Sequence, residues 1–293
     1  MPSLSFDPVA HIYDATRGYP AAVAPRIARA IETTASATPA TTFLEVGIGT
    51  GRIAFPLASL GHTYSGVDIS GKMIEQLETK LAEDGWQEYR QPWGSMPDEN
   101  NANSPVVRRF SKAQQRALMR LVIADMTALP FRSGSFDVVV AVHVFHLVDG
   151  WQQAVREVLR VLRAGGQFLH CWDEYVSSDV LPVENHWMHI VRELGGEIRR
   201  PGSTSRSEVT RWLNQQGLQA QESRVVRWKN TITPRQAVEY VTRRLWSSTW
   251  VVPDQLFSVS VERLKDWANS YFGAAMDTPH VQERQFVICK TRV

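Results

Sequence analysis

Three glycines at alternate positions are the first residues whose types and spacing could do chemistry. Gly47, Gly49 and Gly51 come directly after residues 42–46, a run of residues that suits a buried strand. Glycine lets the backbone bend sharply and lets a ligand approach where a Cβ would block it. A helix that begins after such a turn points free N–H groups at the ligand. The segment therefore predicts a strand, a cofactor-binding loop and the start of a helix.

Acidic residues stand at the ends of three apolar runs. Glu45 lies in the first run, Asp68 ends the run 64–68, and Asp125 follows the run 121–124. A carboxylate beside the loop suits a ligand ammonium, and one at the second strand end can accept hydrogen bonds from both ribose hydroxyls. The amino group of adenine is a third donor. S-adenosylmethionine carries all three donors, so the pattern favours it as the cofactor.

A dinucleotide is the alternative ligand for such a loop. Its fingerprint reads G-x-G-x-x-G, and the third glycine lets helix and strand pack closely. Arg52 stands where that glycine would fall, and Glu45 is a poor neighbour for a pyrophosphate. An NAD(P)-type oxidoreductase is therefore the less favoured interpretation.

Further motifs follow the loop in a fixed order along the chain. They are Val67-Asp68-Ile69-Ser70 with Met73, Ala124-Asp125-Met126 with Leu129-Pro130-Phe131, Ser135-Phe136-Asp137-Val138-Val139, and the segment from Val158 to Gly166. With the glycine loop they resemble the class I S-adenosylmethionine-dependent methyltransferases. The chain is most similar to the small-molecule branch that includes the ubiquinone and menaquinone C-methyltransferases. The resemblance covers about residues 6 to 171.

The resemblance implies an α/β fold with a Rossmann-like, seven-stranded, mostly parallel sheet, an antiparallel last strand, helices on both faces and a helical cap. Strands that alternate with helices along the sequence agree with this fold. We predict an N-terminal arm and helix over residues 1–40 and a methyltransferase domain over 41–293. Insertions are expected at about 86–117, and the helical cap at about 181–217 and 231–280.

The resemblance also implies which residues bind the cofactor. Glu45 would hold the methionine ammonium, Asp68 the ribose, and Asp125 with its neighbour the adenine, while the glycines let the cofactor lie on the backbone. The predicted cofactor-binding set is Tyr13, Arg17, Glu45, Gly47, Gly49, Gly51, Asp68, Ile69, Met73, Asp125, Met126 and Val142.

The N-terminal arm, residues 6–20, carries aromatic and basic side chains. In similar methyltransferases this arm closes over the cofactor; the alternative is a solvated segment. Tyr13 would lie against the sulfonium, because an aromatic face favours a cation. Arg17 would pair with a carboxylate.

In similar methyltransferases, the segment that follows the strand predicted at 136–142 meets the transferable methyl group. It reads Val142-His143-Val144-Phe145-His146-Leu147. It lacks both the Asn/Asp-Pro-Pro-aromatic segment of amino-methylating nucleic-acid enzymes and the Pro-Cys of RNA cytosine-carbon enzymes. A small-molecule acceptor is therefore favoured over nucleic acid. His143 is the candidate catalytic base. The alternative is that His143 only borders the cofactor and that His146 is a hydrogen-bonded structural histidine. Without a third ligand at suitable spacing, no metal site is predicted.

The predicted function is S-adenosylmethionine-dependent methyl transfer to an unidentified small-molecule acceptor, by in-line displacement at the sulfonium methyl. The protein must mainly align the reacting atoms and exclude water. A non-catalytic S-adenosylmethionine-binding protein is the other alternative, since no catalytic side chain is unambiguous. Aromatic residues between 234 and 272 could line a pocket for an apolar or aromatic acceptor, or could form the core of the cap itself. The candidate acceptor contacts are Tyr19, His146, Asp173 and Tyr175.

Composition limits the partners of the chain. Its net charge of +2 over 293 residues is too small to imply a nucleic-acid partner. It has neither an apolar run long enough to span a bilayer nor a signal-peptide pattern, so we expect a soluble cytoplasmic protein. Cys171 and Cys289 are predicted to be buried free thiols. The basic stretch 108–120 is predicted to form a solvated helix, and an anionic-substrate patch or a subunit contact is the functional alternative. The oligomeric state is left open.

Overall fold

A mixed β-sheet supports the glycine loop in the computed structural model, which describes residues 3–89, 107–112 and 115–293. The strands are β1 (Thr42–Val46), β2 (Thr63–Asp68), β3 (Gln87–Glu88), β4 (Val107–Lys112), β5 (Gln115–Ile123), β6 (Phe136–Val142), β7 (Leu162–Ser178), β8 (Ala220–Ile232) and β9 (His280–Arg292). Their order across the sheet is β3-β4-β5-β2-β1-β6-β7-β9-β8.

Five neighbouring strands of this sheet run parallel, from β5 through β2, β1 and β6 to β7. In this register Glu45 of β1 is paired with Gly66 of β2 on one side and with Val140 of β6 on the other. Asp68 is paired with Ile123 at the last position of both strands. The carboxyl ends of these strands therefore meet at one edge, where ligands bind in open α/β sheets.

Helices connect the strands. They are α1 (Tyr13–Arg17), α2 (Ala24–Ala35), α3 (Ala54–Ala58), α4 (Gly71–Glu83), α5 (Trp151–Val161), α6 (Leu181–Glu193), α7 (Arg206–Gln215), α8 (Pro234–Thr242), α9 (Ser247–Trp250) and α10 (Asp254–Phe272). Short 3₁₀ helices form at Asp7–Ile12, Phe145–Leu147 and Gly273–Asp277. The Ser70 side chain accepts a hydrogen bond from the backbone N–H of Met73, which satisfies a free donor at the first turn of α4.

The chain divides into two compact units. The first comprises Met1–Trp172, Gly202–Val226 and Phe286–Val293, and the second comprises Asp173–Pro201 and Arg227–Gln285. In the first unit, α5 buries apolar residues at helical spacing in a core that also contains strand residues such as Leu44 and Val139.

The second unit has its own core, to which α6, α8 and α10 contribute. Trp187 is fully buried there, and its Nε1 donates a hydrogen bond of 3.0 Å to Ser260 Oγ. The helical cap proposed for about 181–217 and 231–280 stays a prediction. Within that range, α7 belongs to the first unit.

Two sequence predictions about the sheet need correction. The described residues form nine strands, where the sequence predicted seven, because β3 and β4 extend the sheet beyond β5. The predicted basic helix is also wrong: residues 107–112 and 115–123 are antiparallel strands in which Phe110 is paired with Met119. Both of these side chains are buried, and β5 also pairs with β2, so tertiary pairing overrides the local helical pattern. Residues 90–106 of the predicted insertion lie outside the described part of the chain.

Candidate cofactor site

The glycine loop leaves β1 in a conformation that favours glycine. Gly47, Gly49 and Gly51 have φ values of 72°, 56° and 74°. A Cβ on Gly47 would lie 2.6 Å from Cγ2 of Val144, so at this position a larger residue is excluded by space as well as by φ. The loop therefore carries no side chain at this position, and its backbone is open to a ligand.

Asp68 fixes the loop from the end of β2. Its Oδ2 accepts a hydrogen bond of 2.8 Å from the backbone N–H of Gly49, and its Oδ1 accepts one of 2.9 Å from Ser70 N–H. Burial raises the pKa of Asp68 to about 6, although these backbone hydrogen bonds lower it. Each oxygen keeps a lone pair for a further donor, such as a ribose hydroxyl.

A cleft of about 630 Å³, open to solvent, lies above the loop and wholly within the first unit. It brings together Tyr13, Gly47, Gly49, Asp68, Ile69, Met73, Asp125, Met126, Val142 and His143 from the predicted set. These residues come from the arm, the loop, the carboxyl ends of β2, β5 and β6, and the first turn of α4.

One wall of this cleft is apolar. Ile69 is a large hydrophobic residue that is nevertheless 48% exposed, and Met126 is mostly buried. Beside them, Asp125 Oδ1 accepts hydrogen bonds from the backbone N–H and the hydroxyl of Thr127, at 2.8 and 2.9 Å. An apolar surface next to a fixed carboxylate suits a heteroaromatic base that carries an amino group.

Glu45 lies close to the loop but does not line the cleft. It is 2% exposed, and its Oε2 accepts a hydrogen bond of 2.8 Å from the hydroxyl of Tyr64. Burial raises the pKa of Glu45 to about 8, while the Tyr64 hydrogen bond and the charge of Arg52 lower it. Its carboxylate is therefore buried in the strand that leads into the loop.

His143 stands at the turn that follows β6. Its φ of 52° is in the left-handed region, which is uncommon for any residue other than glycine. Its backbone N–H donates a hydrogen bond of 3.1 Å to the carbonyl of Cys171, which holds the turn against β7. Strained backbone at a cleft is a frequent sign of function.

His146 and His170 are placed differently from His143. His146 lies in the 3₁₀ helix Phe145–Leu147, does not line the cleft, and accepts a hydrogen bond from Gly202 N–H at its carbonyl. His170 is buried and stacked on Phe168, and burial lowers its pKa to about 3, with smaller contributions from His143 and Arg206. His170 is therefore neutral at physiological pH.

The N-terminal segment forms a further wall of the cleft. Residues 3–6 line it, and the backbone N–H of Leu4 donates a hydrogen bond of 2.9 Å to the carbonyl of Leu147. The Phe6 and Tyr13 rings meet edge to face at 5.3 Å, and Asp7 Oδ1 accepts a hydrogen bond of 2.5 Å from the Ser70 hydroxyl. These contacts hold the segment across the opening.

The other predicted residues lie away from the cleft lining. Gly51 packs beside Leu77, and Arg17 and Tyr19 contact the side chain of Arg52. Asp173 and Tyr175 belong to the second unit. There Arg284 pairs with buried Asp173 and lies 4.8 Å from the centre of the Tyr175 ring.

Sequence reasoning missed several lining residues. They are Ser3, Leu4, Ser5, Phe6, Ala124, Val144, Leu147 and Val148. The position of Ala124 at a strand end, directly before Asp125, was a signal that could have found it. Residues 3–5 carry no pattern that marks a ligand site.

Across the described ranges, no group of three or more His, Cys, Asp or Glu side chains is arranged to hold a metal ion. Cys171 and Cys289 are buried free thiols, as predicted. No helix in the described part of the chain is long and apolar enough to cross a membrane.

The chain is similar in sequence to methyltransferases. Residues 44–170 match the model of a methyltransferase domain. The chain is 25% identical over 169 residues to YcgJ, an uncharacterised methyltransferase of Bacillus subtilis strain 168, over 58% of this chain and 52% of that protein. The chain thus spans about half the length of the curated relative it matches.

Solved structures share the fold. The structure of YcgJ from Bacillus subtilis has a TM-score of 0.52 to this chain at 18% sequence identity. The superposition covers 90% of this chain and 97% of the YcgJ chain. The structure of the [4+2]-cyclase SpnF has a TM-score of 0.53 at 14% sequence identity. The superposition covers 100% of this chain and 97% of the SpnF chain. At these identities the likeness concerns the fold alone.

Proposed function

The chain belongs to the class I S-adenosylmethionine-dependent methyltransferases, and we propose that it transfers a methyl group from S-adenosylmethionine to a small-molecule acceptor. One observation carries the proposal: the cleft of the methyltransferase domain combines the open backbone of Gly47 and Gly49 with the carboxylates of Asp68 and Asp125. A ligand with ribose and adenine groups needs these acceptors in one place.

The residues present fit this cofactor. When bound, S-adenosylmethionine supplies a methyl group on a positively charged sulfur, already activated for transfer. Asp68 would accept hydrogen bonds from the ribose, Asp125 would accept one from adenine, and Ile69 would pack on the adenine ring. Glu45 would attract the methionine ammonium electrostatically from its buried position beside the glycine loop.

His143 and Tyr13 are the proposed residues at the reacting end of the cleft. The Tyr13 ring would face the sulfonium, because an aromatic face attracts a cation. The imidazole of His143 would take a proton from the acceptor where the acceptor must lose one. The remaining work of the protein is to align the reacting atoms and to exclude water.

The finer description of the acceptor is also a proposal. The turn after β6 lacks the segments of the nucleic-acid enzymes, which supports a small molecule of the kind methylated in the ubiquinone and menaquinone branch. Tyr19, His146, Asp173 and Tyr175 stay candidate acceptor contacts. An apolar or aromatic acceptor has weaker support, since many aromatic side chains of the second unit, such as Trp187, pack in its own core.

Calorimetry on the purified chain tests the donor. We expect S-adenosylmethionine and S-adenosylhomocysteine to bind and NAD to give no heat. Binding of NAD without a response to either sulfur ligand would overturn the proposal in favour of a nucleotide-dependent oxidoreductase. The Asp68→Ala variant is the control for the site, since it should lose affinity for both sulfur ligands.

Methyl transfer itself is tested with isotopically labelled S-adenosylmethionine and a panel of small apolar, aromatic and polar acceptors. We expect labelled product with at least one small molecule and none with tRNA or DNA. Labelled nucleic acid would overturn the acceptor class. Tight binding of both sulfur ligands without any product would favour the non-catalytic alternative.

A further inference from the structure

Arg52 is a residue of the glycine loop to which the proposed function assigns no role. It stands where a dinucleotide loop has its third glycine, and it points toward the N-terminal arm. Its Nη1 donates a hydrogen bond of 3.0 Å to the backbone carbonyl of Arg17. Its guanidinium carbon lies 4.9 Å from the ring centre of Tyr19 and 6.0 Å from that of Tyr13. One side chain thus contacts three residues of the arm.

The charge of Arg52 is balanced inside the protein. Burial lowers the pKa of its guanidinium, but Tyr13, Tyr19, Glu45 and Asp14 raise it more, so the net pKa lies above the ordinary value. Because a guanidinium is planar and always charged, it can stack on aromatic rings and donate hydrogen bonds at the same time. A lysine ammonium has no such plane.

Neighbouring side chains hold the same arm in place. The hydroxyl of Thr50, two residues before Arg52, donates a hydrogen bond of 2.5 Å to Asp14 Oδ1. The other oxygen of Asp14 pairs with Lys80 of α4 at 2.7 Å. The arm is therefore attached both to the loop that holds the cofactor and to the helix that follows β2.

The attachment matters because Tyr13 and Phe6 line the cleft. Their rings meet edge to face, so a shift of one ring moves the other. We propose that Arg52 is a positioning residue that fastens the N-terminal arm, residues 6–20, to the glycine loop, so that Tyr13 and Phe6 complete one wall of the cofactor cleft. The proposal rests on the proposed function for the identity of the ligand, but the fastening itself does not depend on it.

Arg17 takes part in this fastening through its backbone. The predicted pairing of its side chain with a carboxylate stays a prediction. In the structure its backbone carbonyl is the acceptor for Arg52. The fastening therefore depends on the path of the backbone at Arg17 and on the guanidinium of Arg52.

Limited proteolysis and ligand binding together test this role in the full chain. Trypsin cleavage after Arg17, followed by intact mass, reports release of the arm, and calorimetry with S-adenosylhomocysteine reports closure of the cleft. For Arg52→Ala we expect cleavage to accelerate and the Kd to rise, each by about tenfold or more, because a charged hydrogen bond and two ring contacts are lost. Arg52→Lys keeps the positive charge but lacks the planar guanidinium. Its cleavage rate and its Kd should therefore lie between those of Arg52→Ala and those of the parent protein.

Arg156→Ala is the matched control, since Arg156 also stacks on a ring, that of Trp212 at 5.6 Å, but has no contact with the arm. It should change neither readout. A folded Arg52→Ala variant with the cleavage rate and the Kd of the parent protein would overturn the proposal. If Arg52→Ala does not fold, Arg52→Lys decides it, since parental values for both readouts in that variant would also reject the role of the guanidinium plane.

Different results would reject the proposed function and the proposed role of Arg52. If the parent protein does not bind S-adenosylhomocysteine, the proposed function fails, while cleavage after Arg17 without any ligand still measures the fastening. If the ligand binds and Arg52→Ala leaves cleavage unchanged, only the role of Arg52 fails.

Discussion

The hydroxyl of Tyr64 donates a hydrogen bond of 2.8 Å to Oε2 of Glu45, so a phenol on β2 fixes a carboxylate on β1 directly below the glycine loop. Burial and the charge of Glu45 raise the pKa of Tyr64, which keeps the phenol protonated as a donor. Burial raises the pKa of Glu45 to about 8. The carboxyl group of Glu45, in the strand that leads into the loop, therefore changes its charge close to neutral pH.

Stability should depend on pH through Glu45. Its pKa is about 8 in the folded protein against an ordinary 4.5, so between these values the folded state binds more protons than the unfolded state. The free energy of unfolding should therefore fall as pH rises through this window, by up to about 1 kcal/mol per pH unit. Glu45→Gln cannot titrate and should show a smaller slope. Urea unfolding at several pH values measures both, and equal slopes would contradict the burial argument.

Affinity for S-adenosylhomocysteine should depend on the same group in the opposite direction. A ligand ammonium is attracted by an ionised carboxylate, so affinity should rise as Glu45 loses its proton toward about pH 8. Glu45→Gln should bind more weakly and should lose most of this rise. Calorimetry across the pH range is the measurement. If affinity is flat in the parent protein, Glu45 does not act on the ammonium.

Asp68→Asn should weaken S-adenosylhomocysteine binding by about tenfold to hundredfold. The carboxylate accepts hydrogen bonds from Gly49 and Ser70 with separate oxygens. An amide has one oxygen, so its NH₂ group must face one of these backbone donors. Asp277→Asn is the control, because this carboxylate is exposed and pairs with Arg235 in the second unit. Unchanged affinity in a folded Asp68→Asn protein would remove Asp68 from the ribose site.

Most of the strand ends in the cleft were predictable from local sequence. The loop from Gly47 to Gly51 and the carboxylates Asp68 and Asp125 carry their signals within a few residues, as a buried run followed by a turn. Because parallel strands end at one edge, these local signals also predict that the residues lie together.

The rest depends on contacts between distant residues. Helical spacing in the basic stretch 108–120 led to the wrong prediction of a helix. The strand β4 is held there by pairing with β5, which pairs in turn with β2. Residues 3–6 line the cleft because the backbone of Leu4 bonds to Leu147, 143 positions away by number. Glu45 is buried outside the cleft lining, where it bonds to the hydroxyl of Tyr64. No rule of sequence spacing predicts this hydrogen bond.

Gly51→Ala should be more harmful than the same change at Gly134. Both glycines have positive φ, 74° and 66°, so both substitutions strain the backbone by about 1–2 kcal/mol. At Gly134 a Cβ meets nothing within 4 Å, whereas at Gly51 it meets the buried side chain of Leu77. We expect an additional loss of about 1–3 kcal/mol at Gly51. Equal losses in urea unfolding would mean that Leu77 moves aside at little cost.

His143 can separate backbone strain from chemistry. Its φ of 52° costs about 1–2 kcal/mol for a residue with a Cβ, and more where the side chain is β-branched. His143→Gly should therefore be at least as stable as the parent protein in thermal unfolding, while His143→Val should be clearly less stable. If the imidazole is retained for chemistry, His143→Gly should also lose methyl transfer to any acceptor found in the panel, with little change in affinity for S-adenosylhomocysteine. A His143→Gly protein that is less stable yet fully active would show that the imidazole serves packing, and that the strain at the end of β6 is not maintained for catalysis.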